Sequence, residues 1–302
     1  MINSSHWGKA LWPGVNSWYT EGKEDYPVEY THVYETRQSR KAFEEIMGTS
    51  GLGAAAVKPD GASVVYDTHQ QGFLSRFNNV EYGLGFIITR NMVEDDLYDV
   101  IGKQRSRGLA RSMAQTKETV LWNVLNRADQ AAYVGGDGLP LMSAVHKQKA
   151  GGTYSNILST NADLSEAALE QAHIELGKST DERGLKIKIK AQKLIIPVDL
   201  EFEAERILDT EKRVKTADND IGVMYTGRGR IPGGIVMSHY LTDPNMWLLQ
   251  TDVDDGLIHF ERRADDFSMD NDFDTDNAKY KGVMRFTGGW ANPRCIFGSN
   301  PA

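Results

Sequence analysis

Three sets of residues in this chain of 302 residues are spaced as if for chemistry. Gly51, Gly53 and Ala56, in "GTSGLGAAAVKPDG", match the G-x-G-x-x-G/A turn that holds a dinucleotide pyrophosphate against a helix N-terminus. That turn needs a buried parallel strand before it and a helix after it. Here "ETRQSRKAFEEIM" precedes it and reads as an amphipathic helix, with Phe43, Ile46 and Met47 on one side. A Pro-Asp-Gly turn signal follows almost at once. The glycines are therefore expected to supply main-chain freedom. A nucleotide-dependent α/β enzyme using the Gly51/Gly53 turn stands as the alternative from another class.

The second set is acidic. Six aspartates fall among the twelve residues from Asp265 to Asp276, in "DDFSMDNDFDTDN", a composition that suits a hard cation. A calcium loop beginning at Asp272 puts Asn277 where glycine belongs and Val283 where the bidentate glutamate belongs. Beginning at Asp270 puts Thr275 and Lys281 there, so a solvated acidic loop is expected instead. The third set, seven histidines and the lone Cys295, offers no H-x-x-x-H pair and no multi-cysteine site. Cys295 lies in an apolar run and is expected to be buried and inert. There is no nucleophile elbow and no phosphate-binding P-loop. No catalytic residue, cofactor or metal is expected.

The length allows two lobes, and 25% charged with 40% hydrophobic residues is ordinary for a globular protein. No apolar run approaches a membrane span, no signal segment opens the chain, and synthesis in the cytoplasm is expected. A net charge of −8 argues against a general nucleic-acid binder. The basic cluster Lys103, Arg105, Arg107, Arg111 and Lys117 reads as a solvated helix face that pairs with acids.

The elements predict an α+β layout. Residues 1–34 hold Trp7, Trp12 and Trp18 and four tyrosines, punctuated by Gly8, Pro13, Gly14, Gly22 and Pro27, with no evident period. Such an aromatic arm must lie on a surface, its own domain or a neighbouring subunit. "SVVYDT" and "EYGLGFIIT" are expected as the strands of an extended hairpin, which is unstable without a partner. A long helix follows, capped by Asn91 and Glu94, striped by Leu97, Ile101, Leu109, Met113, Val120, Val124 and Ala128, and bent at Gly102 or Gly108. Beyond it, "DLSEAALEQAHIELG" is a helix with Asp163 and Glu166 as a capping pair. "LKIKIKAQKLII" is a half-buried strand, and Pro197 opens the helix "VDLEFEAERIL". "GGIVMSHYL", "MWLLQT", "LIHFER", "YKGVMRF" and "PRCIFG" are strand-like.

Arm, hairpin and long helix, in that order, resemble the major capsid proteins of tailed bacteriophages, with the Hong Kong 97-like fold. "LIIPVDLEFEAERIL" is similar to the strand–proline–helix element of capsid axial domains, and "LTDPNMW" to a stretch in phage head proteins. The ending "GGWANPRCIFGS" is similar to their return to the peripheral domain, and the nearest subgroup is the Mu-type head subunit. The resemblance implies an arm over 1–34, a peripheral domain over 35–50, 91–160 and 261–302 that includes the spine helix, an extended loop over 51–90, and an axial domain over 161–260. It implies a virion protein that self-associates into hexamers and pentamers of an icosahedral shell around double-stranded DNA, without specific recognition of that DNA. A separate scaffolding protein, a portal and a decoration protein are the implied partners. Contacts between subunits are expected at Trp7, Trp12, Trp18, Lys58, Phe73, Arg76, Phe77 and Tyr82. Relatives that cross-link a loop lysine to an asparagine point to Lys58 and Asn292, though no local motif supplies the glutamate such chemistry needs. An encapsulin-type nanocompartment shares the fold and is the alternative.

Overall fold

The computed structural model describes residues 7–95, 98–149, 151–212, 221–271 and 277–301. The expected irregular arm is a helix, α1 (Trp7–Glu24), with Pro13 inside it. Trp12, Val15, Trp18 and Tyr19 fall on one side at helical spacing and pack inward. Gly22, expected as a breaker, serves packing: a side-chain carbon there would stand 2.9 Å from the Arg107 Cα. A close helix crossing requires glycine there.

The segment expected as a helix over 35–47 is two strands, β1 (Glu35–Gln38) and β2 (Phe43–Thr49). β2 pairs antiparallel with β3 (Gln71–Asn78), and Ile46 packs beside Phe77. Long-range pairing overrides the local helical spacing. The extended hairpin is thus β2–β3, and "SVVYDT" lies in the irregular segment between them. The expected second strand is β4 (Val80–Ile88), which belongs to a different sheet.

α2 (Arg90–Glu94) begins one residue before the expected cap, with Thr89 Oγ1 accepting from Met92 N–H at 3.4 Å. A π-helical turn at Tyr98–Gly102 leads into α3 (Lys103–Asn126), so Gly102 marks the break. Leu97 lies outside the described residues. β5 (His146–Lys147) and β6 (Thr153–Tyr154) form a small hairpin. α4 (Glu166–Gly177) is capped by Ser165, whose hydroxyl accepts from Ala168 N–H at 3.2 Å, rather than by Asp163. β7 (Ala191–Pro197) leads through a 3₁₀ turn into α5 (Glu201–Leu208). Upstream of β7, Leu185, Ile187 and Ile189 turn inward while Lys186, Lys188 and Lys190 stay exposed, though a continuous ladder starts only at Ala191. β8 (Ile235–Ser238), β9 (Trp247–Thr251), β10 (Leu257–Asn271), β11 (Ala278–Trp290) and β12 (Ile296–Ser299) complete the chain.

One sheet runs β1-β10-β11-β4 and the other β12-β9-β7-β8. β10 and β11 extend far beyond the strands expected of them. Asp265, Asp266 and Asp270 lie on β10 rather than in an acidic loop, and residues 272–276 lie outside the described residues. Among the described residues no cluster of acids, histidines or cysteine could hold a metal.

The first core packs α3 against β10 and β11 through Leu109, Met113, Leu121, Trp122 and Leu125, with Met284 and Phe286 facing them. The second joins α4 and α5 through Leu169, Leu176, Ala204 and Leu208. The β12-β9-β7-β8 sheet stands between the two. Ile195, Leu248 and Ile296 face the first core, whereas Leu194, Ile196, Trp247, Leu249 and Phe297 face the second. The alternation of a strand thus feeds both cores. β12 pairs with β9, so the last strand sits in this second sheet.

The stretch after α1 is fixed by a buried carboxylate. Glu118, on α3, accepts from Glu29 N–H at 2.8 Å, Tyr30 N–H at 3.1 Å and Trp122 Nε1–H at 3.0 Å. Burial pushes its pKa up. Two oxygens suit three donors, whereas a Gln would turn an NH₂ toward an N–H. Glu118→Gln is expected to cost about 1–3 kcal/mol in urea unfolding.

His259 is fully buried, with its Nδ1 at 3.3 Å from Thr36 Oγ1. Burial, aided by nearby Lys117, pushes its pKa down to about 4. The unfolded chain takes up this proton near pH 6.5, so the stability contribution is present above that value and lost as pH falls toward 4. Between those values the slope from this group approaches about 1.4 kcal/mol per pH unit. Urea midpoints of the wild type and of His259→Gln, measured from pH 7 to pH 4.5, should converge as the pH is lowered.

Candidate assembly surfaces

The expected contact residues divide sharply. The Trp7 side chain lies outside what the structure describes. Trp12 stacks on Phe267 with ring centroids 5.1 Å apart, and Trp18 packs in the same cluster as Val15, Ile88 and Tyr280. Tyr19 stacks on Phe267 at 4.2 Å and donates its hydroxyl to Asp265 at 2.6 Å. The front segment therefore covers its own β10–β11 hairpin. Phe77 is buried against Phe260 at 5.2 Å, and Tyr82 is half-buried on Phe286 at 4.9 Å. These contacts lie within the subunit.

Lys58 and Arg76 are exposed and Phe73 is half-buried. Arg76 lies over the Phe43 ring at 3.7 Å and pairs with Glu45 at 3.4 Å, while Lys149 lies over Phe73 at 4.2 Å. Lys58 stands in the segment between β2 and β3, where residues 51–70 are all exposed. That segment displays apolar side chains that sequence reasoning passed over by assigning them to a strand. Val57 is 95% exposed and Tyr66 92%, with Leu52, Val64 and Val65 also in solvent. A strand would have hidden alternate residues, and this loop hides none. The glycine-rich root opens here without any following helix, so no helix N-terminus exists to hold a pyrophosphate. The nucleotide reading of Gly51 and Gly53 fails on that geometry. The Pro-Asp-Gly turn does form, with Ala62 N–H donating to Pro59 O at 3.1 Å and Gly61 at φ +76°.

A cleft of about 570 Å³ lies beneath the loop root, lined by acids from both lobes. Five of its six carboxylates, all but Asp254, are engaged in holding the fold. Asp137 meets His146 at 2.6 Å, Glu182 meets Arg294 at 2.7 Å and Asp255 meets Arg37 at 2.8 Å. Asp181 accepts from Arg183 N–H and Leu185 N–H, both at 2.8 Å, and Asp252 from Lys190 N–H at 2.8 Å. In the basic cluster on α3, Arg107 pairs with Glu21 at 2.5 Å and Lys117 with Glu261 at 2.7 Å, while Arg105 donates to Ile87 O at 2.5 Å. Burial pushes the Cys295 thiol up to about 12, far from a nucleophile.

A long spine-like helix on one sheet, a second lobe and a projecting apolar loop define a structural subunit of a protein shell. The sequence profile described as "Phage capsid protein" matches residues 77–298, and the chain belongs to that family. The fold is the Hong Kong 97-like capsid fold. It is similar to the capsid of the native GTA particle, at 12% identity and TM-score 0.59 over 90% of this chain and 89% of that one. It is similar to the procapsid of bacteriophage JBD30, at 14% identity and TM-score 0.55 over 97% and 75%. A virus-like particle from Pyrococcus furiosus matches at 11% identity and TM-score 0.52 over 95% and 98%. No curated protein matches the chain.

Two substitutions separate the subunit's own packing from its free surface. Phe77→Ala should lower stability by about 3–5 kcal/mol, and Arg76→Ala by less than about 1 kcal/mol, in urea unfolding of the two variants.

Proposed function

We propose that this chain is the major head subunit of a tailed phage, assembling into hexamers and pentamers of a closed icosahedral shell around double-stranded DNA. The carrying observation is the 51–70 segment, whose apolar residues find no cover within the subunit. An exposed apolar group of this size on a projecting loop is suited to a neighbouring copy. Lys58 in the loop and Arg76 on β3 supply positive charge on the same hairpin, and Phe73 on β3 adds a half-buried ring. On this reading α3 is the spine, the β1-β10-β11-β4 sheet the peripheral domain, the second sheet with α4 and α5 the axial domain, and β2–β3 with its tip the extended loop. The role is structural, with no bond made or broken. Scaffolding, portal and decoration proteins are the proposed partners, and host cytoplasm the proposed site of synthesis. The JBD30 capsid is described as carrying minor capsid protein trimers, a precedent for decoration.

A nanocompartment enclosing protein cargo is the second reading. The match to the Pyrococcus furiosus virus-like particle keeps it as the alternative, at a lower TM-score than the match to the JBD30 procapsid. Purified particles containing DNA support the head, and particles containing an enzyme and no nucleic acid support the compartment.

The test is electron microscopy of the expressed protein, alone and with its genomic neighbours. Shells are expected from the wild type. Val65→Asp with Tyr66→Asp should leave the subunit folded by circular dichroism and prevent closed shells. Normal shells from this double variant would remove the loop from the interface.

A further inference from the structure

The 51–70 segment rests on almost nothing. None of its residues is buried, and its root is closed locally by Ser50 N–H to Gln70 O at 3.0 Å and Gln70 N–H to Ser50 Oγ at 2.9 Å. Among the described residues, the hydrogen bonds and ion pairs that tie this segment to the rest of the subunit beyond its root all end on one side chain, Arg183. Arg183 Nη1 meets Asp67 Oδ2, and its Nη2 donates to Asp67 Oδ1 at 3.1 Å.

The two ends of this tie are differently held. Arg183 sits in a turn built into the second lobe. Asp181 Oδ1 caps that turn, Gly184 occupies the left-handed region at φ +79°, and Gln148 Nε2 donates to Asp181 O at 2.9 Å. Its neighbour Glu182 is paired with the buried Arg294. On the loop side, the Asp67 carboxylate also gathers the neck of the loop, accepting from Gly53 N–H and Thr68 N–H, both at 2.8 Å. One carboxylate therefore shapes the loop and moors it. The guanidinium and these two N–H groups hold the Asp67 carboxyl well below the usual carboxylate range. Salt and the identity of residue 183 control such a pair, and mild acid leaves it charged.

We propose that Asp67 and Arg183 form an ionic latch that sets the pose of the 51–70 loop on the subunit's own second lobe, so that opening this one pair re-aims the loop. No buried side chain has to be pulled free for the loop to swing. The latch stands on the geometry of a single subunit, and its use in placing the loop on a neighbour rests on the shell reading above. A bidentate pair fixes direction as well as distance, which a single-point contact from lysine does not.

The experiment is a spin-label distance measurement within one copy. Labels are placed at Lys58→Cys in the loop and Lys178→Cys at the exposed end of α4, and labelled chains are diluted into unlabelled ones. Cys295 is buried and does not compete for label. The latch gives a narrow distance distribution at low salt. Arg183→Ala and, separately, Asp67→Asn should lower the latched population relative to the open one by roughly fivefold, the scale of an exposed pair. Arg183→Lys should fall between, and 1 M salt, where the screening length is about 3 Å, should broaden the wild type. An unchanged distribution in both single variants, each folded by circular dichroism, overturns the latch whether or not shells form. A wild type that never forms shells while the latch behaves as described counts against the shell reading alone.

Discussion

The subunit hangs from the contact of one helix with one sheet. On α3, Leu121 and Trp122 are fully buried, and Leu121 presses so closely on β11 that a side-chain carbon at Gly288 would stand 2.2 Å from its Cδ2. That approach fixes the depth at which the helix sits, and other parts are placed from it. Glu118, one turn earlier, holds the stretch after α1 by two backbone N–H groups. Tyr34 donates its hydroxyl to Leu121 O at 2.9 Å and starts the path into β1. Asn126, at the end of the helix, donates to Tyr240 O at 2.9 Å and accepts from Thr242 N–H at 3.0 Å, which ties the helix to the second lobe. Hydrogen bonds of this kind cost little to keep and much to leave unmade once buried.

Around that anchored body the projecting parts are treated in opposite ways. The β10–β11 hairpin is long, and its far half is roofed by α1 through Trp12, Trp18 and Tyr19. The β2–β3 hairpin carries a tip with no roof of its own. Two extensions of one subunit therefore carry different burdens: one is sealed internally, and the other leaves its apolar residues facing solvent. A shell subunit needs a body that keeps its shape and a surface that is finished by neighbours, and this division supplies both.

Much of this was legible in the sequence, and the failures have physical causes. The α3 stripe, the Pro197 start of the α5 segment, β9 and β11 were marked by period and by turn residues, which act over a few neighbouring positions. The front segment differs from expectation because its glycines and Pro13 do not break the helix. Gly22 instead allows a close helix crossing that depends on Arg107, far along the chain. Residues 35–47 have a spacing that fits a helix, and their strand identity comes from β10 and β3, again partners remote in sequence. "SVVYDT" has the composition of a strand and no strand to pair with. Trp12 and Trp18, expected at contacts between subunits, roof their own sheet within the subunit, a placement that depends on Phe267 and Tyr280 far along the chain. The apolar loop tip lay in the right region under the wrong description. Arg183 carries no local sequence signal, because its role depends on one carboxylate more than a hundred residues away.

The sheet between the two cores has a further consequence. Along β7 and β9, adjacent residues report to opposite sides: Leu194 and Ile196 to one, Ile195 to the other, Trp247 and Leu249 to one, Leu248 to the other. A slip of one position would turn every one of these side chains toward the wrong partner at once. Strand alignment is therefore proofread from both directions, and a mistake tolerated by one lobe is exposed by the other.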